Sequence, residues 1–278
     1  MNIVVDKLKS PNVEIVKHTP STTTKSREIL FVHGYMQGPW VWHKFIPYFV
    51  DQGYCCYTLK LNRHYGRLGR HKQRWKSVNT YVEDLKHCID AMDQPPVVIA
   101  HSMGGMVLQE YLKTSTVPAA VLLAAVGSKG LGPATVRMTK NHPAAALKSN
   151  ILFDPSVMIG TPELYRQIFF SAAFSDEELQ ALHPKIEFDS YLAYMEMLLF
   201  NPRSKAIENV KSHNIPLLVF GSPEDIVVGE AEIRKTASAY DAEVKLFPGI
   251  GHNMMLDQGW EQVADHISNW LSKMEVVA

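Results

Sequence analysis

The hydrophobic positions of this chain fall into short, dense runs separated by longer amphipathic stretches. "IVVDK", "VEIVKH", "EILFVHG", "YCCYTLKL", "PPVVIAHS", "AAVLLAAVG", "IPLLVFGS" and "AEVKLFPG" are rich in β-branched and apolar residues, which predicts strands. The run at 97–100 is apolar at every position, as a strand covered on both faces of a parallel sheet must be. Apolar residues at helical spacing predict helices near 42–52, 79–92, 104–113, 230–240 and 260–273. The first two runs read as a hairpin-like pair, and strand then alternates with helix. That order predicts an α/β chain with a mostly parallel, doubly wound sheet of about eight strands. Its strands would present their carboxyl ends along one edge.

One segment breaks the alternation. From 128 to 205 the patterns are helical: "PAAALKSNILF", "TPELYRQIFFSAAF", "SDEELQALH" and "EFDSYLAYMEMLLF". Thr161-Pro162-Glu163 reads as an N-cap with proline in the first turn. Ser175 reads as an N-cap followed by the acidic residues Asp176, Glu177 and Glu178. The expected organisation is a core made of 1–127 and 206–278, with 128–205 inserted between two strands as a helical cap.

Composition narrows the classes of partner. The 278 residues carry 28 Lys+Arg against 28 Asp+Glu, so no net charge favours nucleic acid or an anionic membrane. The opening "MNIVVDKLKSPNVEIVKH" is interrupted at Asp6 and Lys9, so no secretory leader is expected. No run reaches the roughly 18 apolar residues of a membrane span. Cys55, Cys56 and Cys88 are odd in number and lack zinc-site spacing, which predicts buried free thiols and a cytoplasmic location. The stretch from Leu59 to Lys76 concentrates Arg63, Arg67, Arg70, Lys72, Arg74 and Lys76. It reads either as a solvated loop or as an attractor of anionic substrates or lipid headgroups.

The candidate chemistry centres on "AHSMGG". A serine between a buried strand and a helix start sits at a sharp turn that lifts its side chain clear of the sheet. Crowding there requires small residues two places before and after it, here Ala100 and Gly104. The helix start also offers unpaired N–H groups and a positive dipole end to an oxyanion. Ser102 is therefore a candidate nucleophile, with a helix-capping serine as the alternative. The pattern is the small-x-Ser-x-Gly elbow, with alanine in place of its first glycine.

At these residues the chain resembles the α/β-hydrolase family, and "AHSMGG" is similar to the elbow of some bacterial lipases. The resemblance implies an α/β-hydrolase fold and a triad in the order Ser, acid, His. The acid is expected in "IPLLVFGSPEDIVVG", where the apolar stretch after Asp225 favours it and Glu224 remains open. The histidine is expected at His252, after Gly251 and ahead of an amphipathic final helix. In "LFVHGYMQGPWVW", Gly34 is expected to let the backbone bend, His33 to shape the loop, and His101 to serve in packing. The implied oxyanion hole is the backbone N–H of Tyr35 with that of Met103, and Met36 is an alternative to Tyr35. An acyl pocket is expected from Met36, Met195 and Leu198, with Phe169, Phe170, Met197 and Phe200 as further candidates. Most of those in the insertion would instead be core.

The implied activity is hydrolysis of carboxylic esters, monoacyl or of short to medium acyl length, through an acyl-serine and without cofactor or metal. The same triad also serves carbon–carbon bond hydrolysis, thioester cleavage and hydroxynitrile chemistry. A non-catalytic binder of small ligands is the competing class. Ser102 argues against enzymes of this fold that use an aspartate nucleophile. The expected partner is a small-molecule ester, and nothing indicates an oligomeric state.

Overall fold

Eight strands form one sheet: β1 (Val4–Leu8), β2 (Glu14–Thr19), β3 (Ile29–Val32), β4 (Cys56–Lys60), β5 (Val97–His101), β6 (Ala120–Leu123), β7 (Leu217–Gly221) and β8 (Glu243–Leu246). The structure, a computed structural model, describes residues 3–8, 13–22, 25–61, 74–127, 130–198 and 204–276. Across the sheet the order is β1-β2-β4-β3-β5-β6-β7-β8. β2 pairs antiparallel with β1 and β4, and every pairing from β4 to β8 is parallel. This is the mostly parallel sheet that the hydrophobic pattern predicts.

Strand position follows apolar content. β3, β5, β6 and β7 hold the centre and are buried at every residue. The edge strand β1 is largely exposed, and β8 alternates. The helices are α1 (Phe45–Asp51), α2 (Val78–Asp90), α3 (Met103–Tyr111), α4 (Gly132–Asn141), α5 (Pro143–Leu152), α6 (Pro162–Phe169), α7 (Asp176–Leu182), α8 (Tyr191–Leu198), α9 (Ser204–Ser212), α10 (Glu230–Tyr240) and α11 (Trp260–Val276). α11 shows why such segments fold against the sheet: Val263, Ala264, Ile267 and Leu271 make one buried stripe. Burying each large side chain contributes about 1.5–3 kcal/mol.

Between β6 and β7 the chain is helical, with the two expected N-caps formed. Thr161 Oγ1 accepts from Leu164 N–H and Ser175 Oγ from Glu178 N–H. Two helices were not read from the pattern. α4 buries only Ala134, so it has no apolar stripe to see. α9 buries Ala206 and Val210 and packs on α3 and α10.

The path of the chain sets where a site can form. From β3 it steps outward to β4, crosses back to β5, and then proceeds the other way through β6, β7 and β8. Its direction changes between β3 and β5, the place where open α/β sheets leave a crevice at the carboxyl ends. Cys55, Cys56 and Cys88 are all buried, and none is in a disulfide. Among the described residues no helix is long and apolar enough to cross a membrane.

Candidate active site

The turn from β5 into α3 places Ser102 at φ 52° and ψ −116°, a conformation that costs a non-glycine residue strain. The surroundings hold it there. Ser102 N–H donates to Leu123 C=O at 3.1 Å, while Ser102 C=O accepts from Gly105 N–H at 3.0 Å and Val126 N–H at 3.1 Å. The predicted crowding is real: a Cβ on Gly104 would lie 2.6 Å from His33 O and 2.7 Å from Val32 O.

His252 comes from the loop after β8 and Asp225 from the loop after β7. His252 Nε2 lies 2.9 Å from Ser102 Oγ, and His252 Nδ1 donates to Asp225 Oδ2 at 2.8 Å. The imidazole and carboxylate side chains are fully enclosed. Asp225 Oδ1 accepts from Val227 N–H at 2.7 Å and Val228 N–H at 3.0 Å, so the "IVV" stretch is the turn that aims the carboxylate. Glu224 faces elsewhere, accepting from Ser222 Oγ at 2.8 Å and Gly249 N–H at 3.0 Å. What burial it has acts to raise its carboxyl pKa, but these donors outweigh that and hold it below the usual value. The structure thus joins Ser102, His252 and Asp225 in one hydrogen-bonded line and leaves Glu224 out of it.

His101 does more than pack. Its Nε2 lies 3.0 Å from His252 C=O and its Nδ1 lies 3.2 Å from Gln37 Oε1. Burial first, and then neighbouring His252, keeps its pKa well below the ordinary imidazole value. Gln37 in turn accepts from Gly34 N–H at 3.1 Å and donates to Asn253 Oδ1 at 2.8 Å. This buried amide and imidazole brace the His252 loop from behind.

The loop after β3 lies against the serine, though not for the reason the sequence suggested. Gly34 does not bend the chain through a positive φ; Met36 does, at 57°. Gly34 is needed for room, because a Cβ there would lie 2.8 Å from His101 Nδ1 and 3.1 Å from Ser102 Cβ. Of the alternatives Tyr35 and Met36, the Met36 N–H is engaged, donating to Asp189 Oδ2 at 3.0 Å. Met103 opens α3, where a helix has no acceptor of its own for the N–H.

A cleft with about 600 Å³ of empty space, its open mouth included, begins at Ser102. Met36, Met138, Met158 and Met197 line it together with Ile168 and Phe169. Met195 and Leu198, both expected there, do not line it. On α8 the cavity-facing pair is Tyr194 and Met197, spaced i and i+3, and the two expected residues are each one position out of phase. Phe170 instead stacks on Phe174, centroids 4.0 Å apart. Phe200 and the basic residues Arg63, Arg67, Arg70 and Lys72 lie outside the described residues. Among the described residues no group of three or more His, Cys, Asp or Glu side chains could hold a metal ion.

The helical stretch between β6 and β7 also grips the loops of Asp225 and His252. Arg137 on α4 donates to Ile226 C=O at 3.0 Å and Val227 C=O at 3.2 Å, and pairs with Glu232 at 3.0 Å. Asn253 N–H donates to Phe169 C=O at 2.9 Å. Buried Asp257 accepts from Gly251 N–H at 2.6 Å, Ser171 N–H at 2.7 Å and Ser171 Oγ at 2.8 Å. Gln258 N–H completes its shell at 2.7 Å. None of these long-range partners was read from the sequence.

The sequence model described as "Alpha/beta hydrolase family" matches residues 29–266. A monoacylglycerol lipase of Mycolicibacterium smegmatis is 22% identical over 265 residues, covering 91% of this chain and 90% of that protein. A non-heme chloroperoxidase of Kitasatospora aureofaciens is 25% identical over 259 residues, covering 84% and 88%. Among solved structures, a bromoperoxidase from Bacillus anthracis superposes with a TM-score of 0.72 at 19% identity, covering 98% of this chain and all of that one.

Proposed function

Since the chain belongs to the alpha/beta hydrolase family, we propose that it is a serine hydrolase of carboxylic esters, with Ser102 as nucleophile, His252 as general base and Asp225 as orienting acid. The observation that carries this reading is the line Asp225–His252–Ser102, at 2.8 and 2.9 Å, ending at an apolar cavity. Ser102 Oγ attacks the ester carbonyl as His252 Nε2 takes its proton. Asp225 keeps the other ring proton on Nδ1 and stabilises the imidazolium. The tetrahedral oxyanion is held by the N–H groups of Met103 and Tyr35. His252 then protonates the leaving alcohol, and water repeats the attack on the acyl-serine.

The substrate we assign is an ester of one short or medium acyl chain. Four methionines in the lining support this, since flexible thioethers fit varied apolar shapes. The similarity to a monoacylglycerol lipase points the same way. Residues 128–205 act in this reading as a cap that roofs the acyl chain.

Labelling with a fluorophosphonate, followed by peptide mass spectrometry, should place the adduct on Ser102. On a p-nitrophenyl ester panel, Ser102→Ala should abolish turnover, and Asp225→Asn should lower kcat by about 10⁴-fold. Glu224→Gln should leave kcat within a few-fold. An adduct elsewhere, or hydrolysis surviving Ser102→Ala, refutes the assignment. A wild-type protein that turns over neither esters nor thioesters is a binder instead.

A further inference from the structure

The loop 33–37 beside Ser102 owes its shape to the insertion. Met36 occupies the left-handed region at φ 57°, where a long side chain needs outside support. Segment 187–190 supplies that support. Met36 N–H donates to Asp189 Oδ2 at 3.0 Å, and Met36 C=O accepts from Glu187 N–H at 3.0 Å. The Tyr35 hydroxyl donates to Ser190 C=O at 2.7 Å. Both main-chain groups of Met36 and the side chain before it are therefore tied to one four-residue strip.

Asp189 is an expensive choice for that task. It is 7% exposed, and none of the ion pairs among the described residues includes it. Burying a carboxylate carries a large desolvation cost. Its second oxygen accepts from Ser190 N–H at 2.9 Å and from the phenol of Tyr81, a fully buried residue of α2. Tyr81 thus braces the carboxylate from the core while the carboxylate holds the loop. An acceptor tie alone could come from a neutral side chain. Burial raises the Asp189 carboxyl pKa, while the bonds from Tyr81, Met36 and Ser190 pull it back down and favour the charged form, whose hydrogen bonds are about twice as strong.

We propose that Asp189, backed by Tyr81, is a positioning residue for the oxyanion hole. By engaging the Met36 N–H it sets the peptide plane that follows Tyr35, and leaves the Tyr35 N–H as the donor this loop gives to the oxyanion. This inference rests on the ester-hydrolase reading and extends it to a residue that touches no substrate.

The test uses full-length protein, p-nitrophenyl butyrate, and an alkyl trifluoromethyl ketone. Ser102 Oγ adds to the ketone carbon, its proton passes to His252, and the ketone oxygen becomes an oxyanion in the hole. Asp189→Asn should lower kcat about 10–100-fold, part of the 10²–10³ lost with a whole donor, with KM within about twofold. The ketone's Ki should rise by the factor that kcat/KM falls, while inhibition by the matching alkyl alcohol stays unchanged. Tyr81→Phe keeps the carboxylate and should show the same split with a smaller loss, about 3–10-fold; it decides the matter if Asp189→Asn does not fold. Wild-type kcat in these variants, or equal loss of ketone and alcohol binding, overturns the proposal and leaves Asp189 as a strut. A wild-type protein that neither hydrolyses the ester nor binds the ketone overturns the hydrolase reading itself, a different and recognisable result.

Discussion

Buried at the end of β3, the His33 ring accepts from Leu61 N–H through Nε2 at 3.1 Å and donates from Nδ1 to Gly34 C=O at 2.9 Å. Only the neutral ring with its proton on Nδ1 does both. Burial holds its pKa down to about 4, with the Gly34 carbonyl pulling upward and Lys60 adding to the depression. The unfolded chain therefore binds a proton near pH 6.5 that the folded chain refuses until about pH 4. Stability from this residue is complete above pH 6.5 and is lost as pH falls through that window. Between pH 7.5 and 5 the loss should be on the order of 2 kcal/mol. His101, depressed in the same direction, adds to it. Urea unfolding across this range should show a shallower slope for His33→Asn, even though that variant is less stable at pH 7.5. Equal slopes would show that His33 is not the linked group.

At the scale of elements, the strand-to-helix turn makes glycine obligatory where a helix would ordinarily prefer alanine. Gly→Ala in a helix interior gains up to about 1 kcal/mol. Gly104→Ala should instead destabilise by about 1–3 kcal/mol, because its Cβ would meet the rigid carbonyls of Val32 and His33 at 2.7 and 2.6 Å. It should also depress ester turnover, since yielding there moves loop 33–37 away from Ser102. Thermal unfolding and kcat on the same preparation check both, and a gain in Tm would contradict the crowding. The turn was legible because β5 is apolar throughout and small residues flank the serine. Asp225 and His252 were legible only through the resemblance, whose order Ser, acid, His points to the loop after the fully buried β7 and the loop after the half-exposed β8. Facing positions on α8 were not, because a helix whose one charged residue is Glu196 gives little phase, so Tyr194 and Met197 could not be told from Met195 and Leu198. Asp189 and Arg137 read as ordinary polar residues of a helical segment. What makes them matter is a partner 153 residues away in one case and 89 or 90 in the other.

Over the whole molecule, the helical stretch between β6 and β7 shares one polar framework with the sheet around the cavity. Asp257 is its most loaded joint, with four donors on two oxygens and no exposure. An asparagine there offers one acceptor oxygen and must strand buried N–H groups. Asp257→Asn should cost about 3 kcal/mol in chemical denaturation and lower ester turnover by loosening the loop of His252. A change below about 0.5 kcal/mol, typical of surface sites, would show that the joint carries no load. The ties of Asp189 to loop 33–37, Arg137 to loop 225–228 and Ser171 to Asp257 reach three separate loops. A helical segment fastened in this way is not an interchangeable cassette. Grafting the corresponding helices of a relative onto this sheet, to borrow its substrate preference, would also require transplanting the matching acceptors and donors, or the chimera would inherit a new ceiling over a collapsed floor.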